Sequence, residues 1–122
     1  VRVGALRKEE YELQKAVVLH VRRRAPGLLY WHTPNQGARS LKTVMALRAM
    51  GFKKGIPDLF FFKKGTLFGL ELKTLEGVAT SDQLEVVDQI KAEGGQAEIT
   101  YGLDHALATL EAWGLIRAEV RV

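Results

Sequence analysis

Gly55-Ile56-Pro57-Asp58-Leu59-Phe60-Phe61-Phe62-Lys63-Lys64-Gly65-Thr66-Leu67-Phe68-Gly69-Leu70-Glu71-Leu72-Lys73 decides the fold. Pro57 to Phe62 and Leu67 to Lys73 read as two strands, with Lys63-Lys64-Gly65-Thr66 as the hairpin turn between them. Side chains alternate along a strand, so Glu71 and Lys73 share a face and Leu72 points to the other. Asp58 opens the first strand, and pairing brings it to that same face. Two carboxylates and a lysine then converge. Like-charged carboxylates repel at short range unless a cation lies between them or one binds a proton. Oxygen donors of this kind suit Mg²⁺ or Mn²⁺, which keep several waters. A bound water would be activated as a nucleophile, and Lys73 would hold it or stabilise the developing phosphorane charge. A salt-bridged hairpin on a sheet surface is the competing reading. The apolar runs Leu59-Phe60-Phe61-Phe62 and Leu67-Phe68-Gly69-Leu70 weigh against it, because charges beside a core need a reason for their desolvation.

Working outward, the spacing predicts a helix over Leu6–Arg24, with Leu13, Val17 and Val21 on one face and Ala25-Pro26-Gly27 as its stop. Leu28 to His32 reads as a short strand, followed by the turn residues Thr33-Pro34-Asn35-Gln36-Gly37. A second helix is expected over Arg39–Met50, then a Gly/Lys-rich loop over residues 51–57. Beyond the hairpin, Ser81 to Glu93 reads as a helix with Thr80 or Ser81 as N-cap and Gly94-Gly95 as its stop. Ala97 to Tyr101 reads as a strand and Leu103 to Trp113 as a last helix. Leu115 to Val122 alternates weakly, which predicts an extra edge strand. A mixed sheet flanked by helices fits this order. The aromatics Trp31, Trp113 and Phe60–Phe62 read as core. His32 reads as a structural strand-end residue, and His20 and His105 as lone helix histidines without partner spacing.

The 122 residues fit a single domain spanning 1–122. No run of eighteen apolar residues and no apolar leader is present, so a cytoplasmic protein with no membrane partner is expected. The absence of cysteine excludes disulfides, thiolate zinc sites, iron–sulfur clusters and a cysteine nucleophile. There is no phosphate-binding Gly-x-x-x-x-Gly-Lys-Ser/Thr loop and no Gly-x-Ser-x-Gly elbow. Charge is divided along the chain. Residues 1–54 carry twelve Lys/Arg against three Asp/Glu, and residues 55–122 carry six against eleven. A basic half and a pI of about 9.5 place nucleic acid first among partners. A solvated basic surface is the plainer alternative.

Together, Gly55-Ile56-Pro57-Asp58-Leu59, Glu71-Leu72-Lys73 and Gln83 resemble the virus-type replication-repair nuclease (VRR-NUC) domain of the PD-(D/E)xK superfamily. Further matches are Glu10 and Gln14 in the first helix, His32-Thr33-Pro34-Asn35 with Gly37 and Arg39, Ser81-x-Gln83, and Gly94-Gly95 with the following strand. The resemblance runs from about Glu10 to Leu110 and is closest to the compact stand-alone form of phages and bacteria. It implies an α/β restriction-endonuclease-like core. It also implies a divalent metal, Mg²⁺ or Mn²⁺, held by Asp58, Glu71 and the Leu72 backbone carbonyl, with Lys73 as the catalytic lysine. Glu10 would bind the metal directly or through water, and the neutral amide of Gln83 would bond water, phosphate or Lys73. Glu10 continues the stripe through Leu13 and Val17, whereas Glu9 and Glu12 fall off it. Asn35, Gln36, Arg39, Lys42, Lys53 and Lys54 are candidates for phosphate contacts, which position a duplex without reading its sequence.

The expected activity is metal-dependent hydrolysis of DNA phosphodiesters on branched substrates, with resolution of four-way (Holliday) junctions preferred and a role in DNA repair. Flap or general nuclease activity, or a catalytically idle DNA-binding module, are the alternatives. Two strands to cut on a junction suit a twofold homodimer. Trp113, Leu115-Ile116 and Val120-Val122 are its candidate interface, with folding back onto their own sheet as the equal alternative.

Overall fold

The computed structural model describes residues 2–34 and 40–119. Eight elements run in the order α1 (Arg2–Arg24), β1 (Leu29–His32), α2 (Leu41–Ala49), β2 (Leu59–Lys63), β3 (Thr66–Lys73), α3 (Ser81–Ala92), β4 (Gln96–Tyr101) and α4 (Gly102–Ala112). Their order is the one the sequence predicts. Four strands form one sheet in the order β1-β2-β3-β4. The first three pair antiparallel and β4 pairs parallel to β3, so α3 is the crossover. The β2–β3 hairpin closes on Lys64 (φ 49°) and Gly65 (φ 80°). Positive φ at both central residues is the type I′ geometry, whose twist matches that of the strands.

The alternation of the strands splits the core in two. Leu59 and Phe61 of β2 with Phe68, Leu70 and Leu72 of β3 face Val17 and Val21 of α1 and Ala106 and Leu110 of α4. The opposite face is smaller: Ala97 and Ile99 of β4 meet Val87 of α3, with Ala79, Ile90 and Tyr101 around them. Glu71 and Lys73 are on this second face.

Two expectations change. Leu115 to Glu119 form no strand; Leu115 and Ile116 are 3% and 4% exposed and complete the α1/α4 core, with Trp113 packed against it. Burying two such side chains against their own sheet removes them from any interface with a second copy. Val120–Val122 lie outside the described residues. The turn of chain after α4 is held by Arg24, whose Nε donates to the Arg117 carbonyl at 2.9 Å and whose guanidinium also pairs with Glu111. Second, the aromatics are not all core: Phe61 is fully buried, but Trp31 and Phe62 are each 43% exposed because their positions in β1 and β2 point to the α3 face beyond the reach of α3. Trp31 stacks on Phe60 there, with centroids 5.6 Å apart. The helix α2 buries none of its residues, and Leu41 and Met45 on it and Met50 at its end are exposed.

Candidate active site

Asp58 is placed by the strands on either side of it. It immediately precedes β2, and its carbonyl accepts the Thr33 N–H at 2.8 Å, extending the β1–β2 pairing by one step. Its carboxylate accepts the Leu72 N–H at 2.8 Å. In an extended strand the N–H and C=O of one residue point toward the same neighbour. The Leu72 carbonyl therefore faces the Asp58 edge as well, the placement a backbone ligand needs.

Glu71 is the least exposed carboxylate of the site, at 5%. Lys73 Nζ stands 3.5 Å from Glu71 Oε2. The Gln83 amide nitrogen donates to the same oxygen at 3.1 Å. Behind the strand, the buried Thr100 hydroxyl donates to the Glu71 carbonyl at 3.0 Å and locks β3 to β4 at this row.

Gln83 is fixed by the start of its own helix. Thr80 is the N-cap of α3: its hydroxyl accepts the Gln83 N–H at 3.2 Å, and Gln83 Oε1 accepts the Thr80 N–H at 3.0 Å. This is a capping box with Gln at its third position. With the amide oxygen committed to the cap, the amide nitrogen is turned to Glu71. The loop before Asp58 is seated on the same turn of helix. Gly55 has φ +85°, and a Cβ there would fall 2.5 Å from the Asp82 carbonyl oxygen. Only glycine permits both that backbone conformation and that approach.

The electrostatics of the pair follow from burial. Desolvation, then the nearby Asp58 charge, push the Glu71 carboxyl up to about 8 from an ordinary value of 4.5, against the pull of Lys73. Burial also raises Asp58, opposed by the Leu72 N–H and by Lys73. At neutral pH the two carboxyls therefore retain a proton between them. A pair that holds a proton against the solvent is one that a cation would occupy favourably. Among the described residues no three His, Cys, Asp or Glu side chains gather at metal-binding distance. Two carboxylates and a backbone carbonyl suit Mg²⁺ or Mn²⁺, which complete their shells with water and substrate oxygens.

No family model matches this sequence, and no curated protein matches it. Among solved structures, a VRR_NUC domain protein superposes with a TM-score of 0.71 over 85% of this chain and 86% of its own, at 22% identity. The fold is that of a VRR_NUC domain. On this VRR_NUC fold, Asp58, Glu71, Lys73 and Gln83 meet on one sheet face, and Leu72 joins them through its backbone. Glu10 projects from α1 and is exposed, as are Glu9 and Glu12, so burial does not distinguish it from them. It is near enough to contribute a small upward push on Asp58. Gln14 is half-buried one turn further along α1. Lys42, Lys53 and Lys54 are exposed. Lys53 and Lys54 border a cleft between the loop and α3, shared with Arg48, Asp82 and Glu85. Asn35, Gln36 and Arg39 lie outside the described residues.

The sequence reading missed Thr100, whose contact arises only from the parallel pairing of β3 with β4, which no local pattern encodes. It left Thr80 and Ser81 equal as caps, although the Thr80-x-x-Gln83 spacing of a capping box favours Thr80. No described helix is long and apolar enough to cross a membrane.

Proposed function

We propose that this chain is a metal-dependent DNA endonuclease of the PD-(D/E)xK type. The observation that carries this reading is the meeting of Asp58, Glu71 and Lys73 on one sheet face, where burial raises both carboxyls above their ordinary range. Asp58, Glu71 and the Leu72 carbonyl would hold Mg²⁺ or Mn²⁺, with Glu10 reaching it through water. The cation supplies Lewis-acid stabilisation of phosphoryl charge.

The chain's own residues do the rest. Lys73, beside Glu71, orients the attacking water and offsets the negative charge that develops on the phosphoryl oxygens. Gln83 keeps Glu71 in place by donating to Oε2. Lys42, Lys53 and Lys54, with Asn35, Gln36 and Arg39, supply phosphate contacts across the basic half of the chain. Such contacts give affinity that falls with salt and carry no sequence preference.

The substrate we favour is branched DNA, with four-way junctions cut by a homodimer in a DNA-repair setting. The idle binding-module reading is less favoured, because a binding site has no use for two buried, mutually repelling carboxyls. Since the α1/α4 core takes up Leu115 and Ile116, a twofold dimer would not rest on these two side chains.

Cleavage of matched linear, flap and four-way DNA, with and without Mg²⁺, tests the proposal. Cutting only with Mg²⁺, fastest on the four-way substrate, is the expected result. Lys73→Ala should lower the cleavage rate by roughly 100-fold or more while leaving DNA affinity within a few-fold. Binding without Mg²⁺-dependent cleavage on any substrate would favour the idle module. Equal rates on all three substrates would favour a general nuclease.

A further inference from the structure

β4 ends beside the cutting centre, and its last residue has a partner that local sequence patterns do not show. Tyr101 is paired with Lys73 in the parallel β3–β4 register. Adjacent strands are about 4.8 Å apart, so the two side chains leave the sheet next to each other. They leave on the same face, because the Tyr101 ring packs with Ala97, Ile99 and Val87 against α3. Val87 is one turn beyond Gln83 in that helix. The ring thus flanks Lys73 on the side away from Asp58 and stays half exposed.

His105, in the first turns of α4, completes the arrangement. Its Nδ1 accepts the Tyr101 N–H at 3.0 Å. The imidazole also stacks along the phenol, with centroids 6.3 Å apart and planes inclined by 22°. A nitrogen that accepts a backbone N–H cannot carry the proton of a neutral imidazole. The proton is therefore on Nε2. His105 is exposed, so Nε2–H is a donor of fixed tautomer available at the surface.

We propose that Tyr101 and His105 form a substrate-positioning pair for the proposed nuclease: the phenol hydroxyl and the imidazole Nε2–H donate to the DNA backbone phosphate next to the one that is cut. The inference rests on the nuclease reading above. Two neutral donors beside Lys73 suit this task. They hold the strand in register without adding positive charge that would compete with Lys73 for Glu71. The packing of the two rings against each other limits the freedom lost on binding.

The test uses three variants of the full chain, with DNA binding measured by fluorescence anisotropy in EDTA and turnover measured in Mg²⁺. Tyr101→Phe keeps the ring and removes the hydroxyl. His105→Asn places an acceptor near the position of Nδ1 and removes the distal donor. His105→Gln retains an amide N–H near the position of Nε2 and gives up the acceptor close to the backbone. We expect Tyr101→Phe and His105→Asn each to raise Kd and KM by roughly three- to tenfold, the range of one hydrogen bond, with kcat within about twofold. His105→Gln should bind more tightly than His105→Asn although its helix start is weakened, which its lower melting temperature would reveal. The reverse order, with His105→Asn like the parent and His105→Gln impaired, would reduce His105 to a helix-start residue and overturn the proposal. Parent-like binding and KM in both Tyr101→Phe and His105→Asn would also overturn it, leaving the nuclease reading intact. A parent chain that neither binds nor cuts DNA would overturn both.

Discussion

On the sheet face covered by α1 and α4, Leu59, Phe61, Leu70, Ala106 and Leu110 are closed to solvent, and Leu115 and Ile116 fill what remains. On the opposite face α3 covers only the β3–β4 half. There Trp31 and Phe62 stay 43% exposed, and an apolar groove of about 450 Å³ runs between α3 and the hairpin past Phe60, Leu67 and Ile90. The side chains of Asp58, Glu71, Lys73 and Gln83 belong to this second, half-covered face. The contrast is one of packing: one face supplies the burial that stabilises the chain, and the other stays half open and holds carboxyls that burial makes costly to ionise.

The two neighbours Phe61 and Phe62 break or sustain this contrast most sharply. Phe61→Ala should cost about 3–5 kcal/mol in a urea unfolding series, because it empties the closed face. A loss below 1 kcal/mol would show that face to be loosely packed. Next in size is Gly55→Ala, which puts a methyl group against the Asp82 carbonyl at positive φ. It should cost about 2 kcal/mol or more. It should also lower cleavage more than any other substitution outside the site, because it separates the Asp58 loop from the Gln83 turn. Unchanged unfolding would mean that the loop does not rest on α3.

Glu71 sharpens the comparison through pH. Its folded-state pKa of about 8 lies above the ordinary 4.5, so between these values the folded chain binds more protons than the unfolded one. Stability without metal should therefore fall as pH rises from 5 to 8. Glu71→Gln should flatten that slope and raise the midpoint at pH 8 by about 4 °C or more. Mg²⁺ should stabilise the parent more at pH 8 than at pH 5.5. A parent stability that rises over this interval would contradict the burial argument. The smallest effect is expected of Phe62→Ala, below about 1 kcal/mol, since the side chain is already partly in water. A larger loss would mean that the open face is covered in solution.

The closed face was also the more legible one. The alternation of Leu59, Phe61, Phe68, Leu70 and Leu72 and the stripe through Val17 and Val21 are local patterns, and they fixed strands, helices and hairpin to within a few residues. The meeting of Asp58 with Glu71 and Lys73 was legible too, because one hairpin brings them together. What failed depends on contacts between distant segments. Leu115 and Ile116 alternate like an edge strand but fill a gap that α1 and α4 leave. Trp31 and Phe62 look like core until the length of α3 shows that it covers only half of its face.

The Gln83 side chain has one further consequence. A carboxamide has one oxygen and one nitrogen, and here the two ends are assigned: the oxygen to the Thr80 N–H, the nitrogen to Glu71 Oε2. Glutamate would serve the cap and repel Glu71. Lysine would reach Glu71 and leave the Thr80 N–H without an acceptor. Asparagine is one carbon too short to span both. The helix asks for an acceptor and the carboxylate asks for a donor, so this position spells a single letter of the amino-acid alphabet.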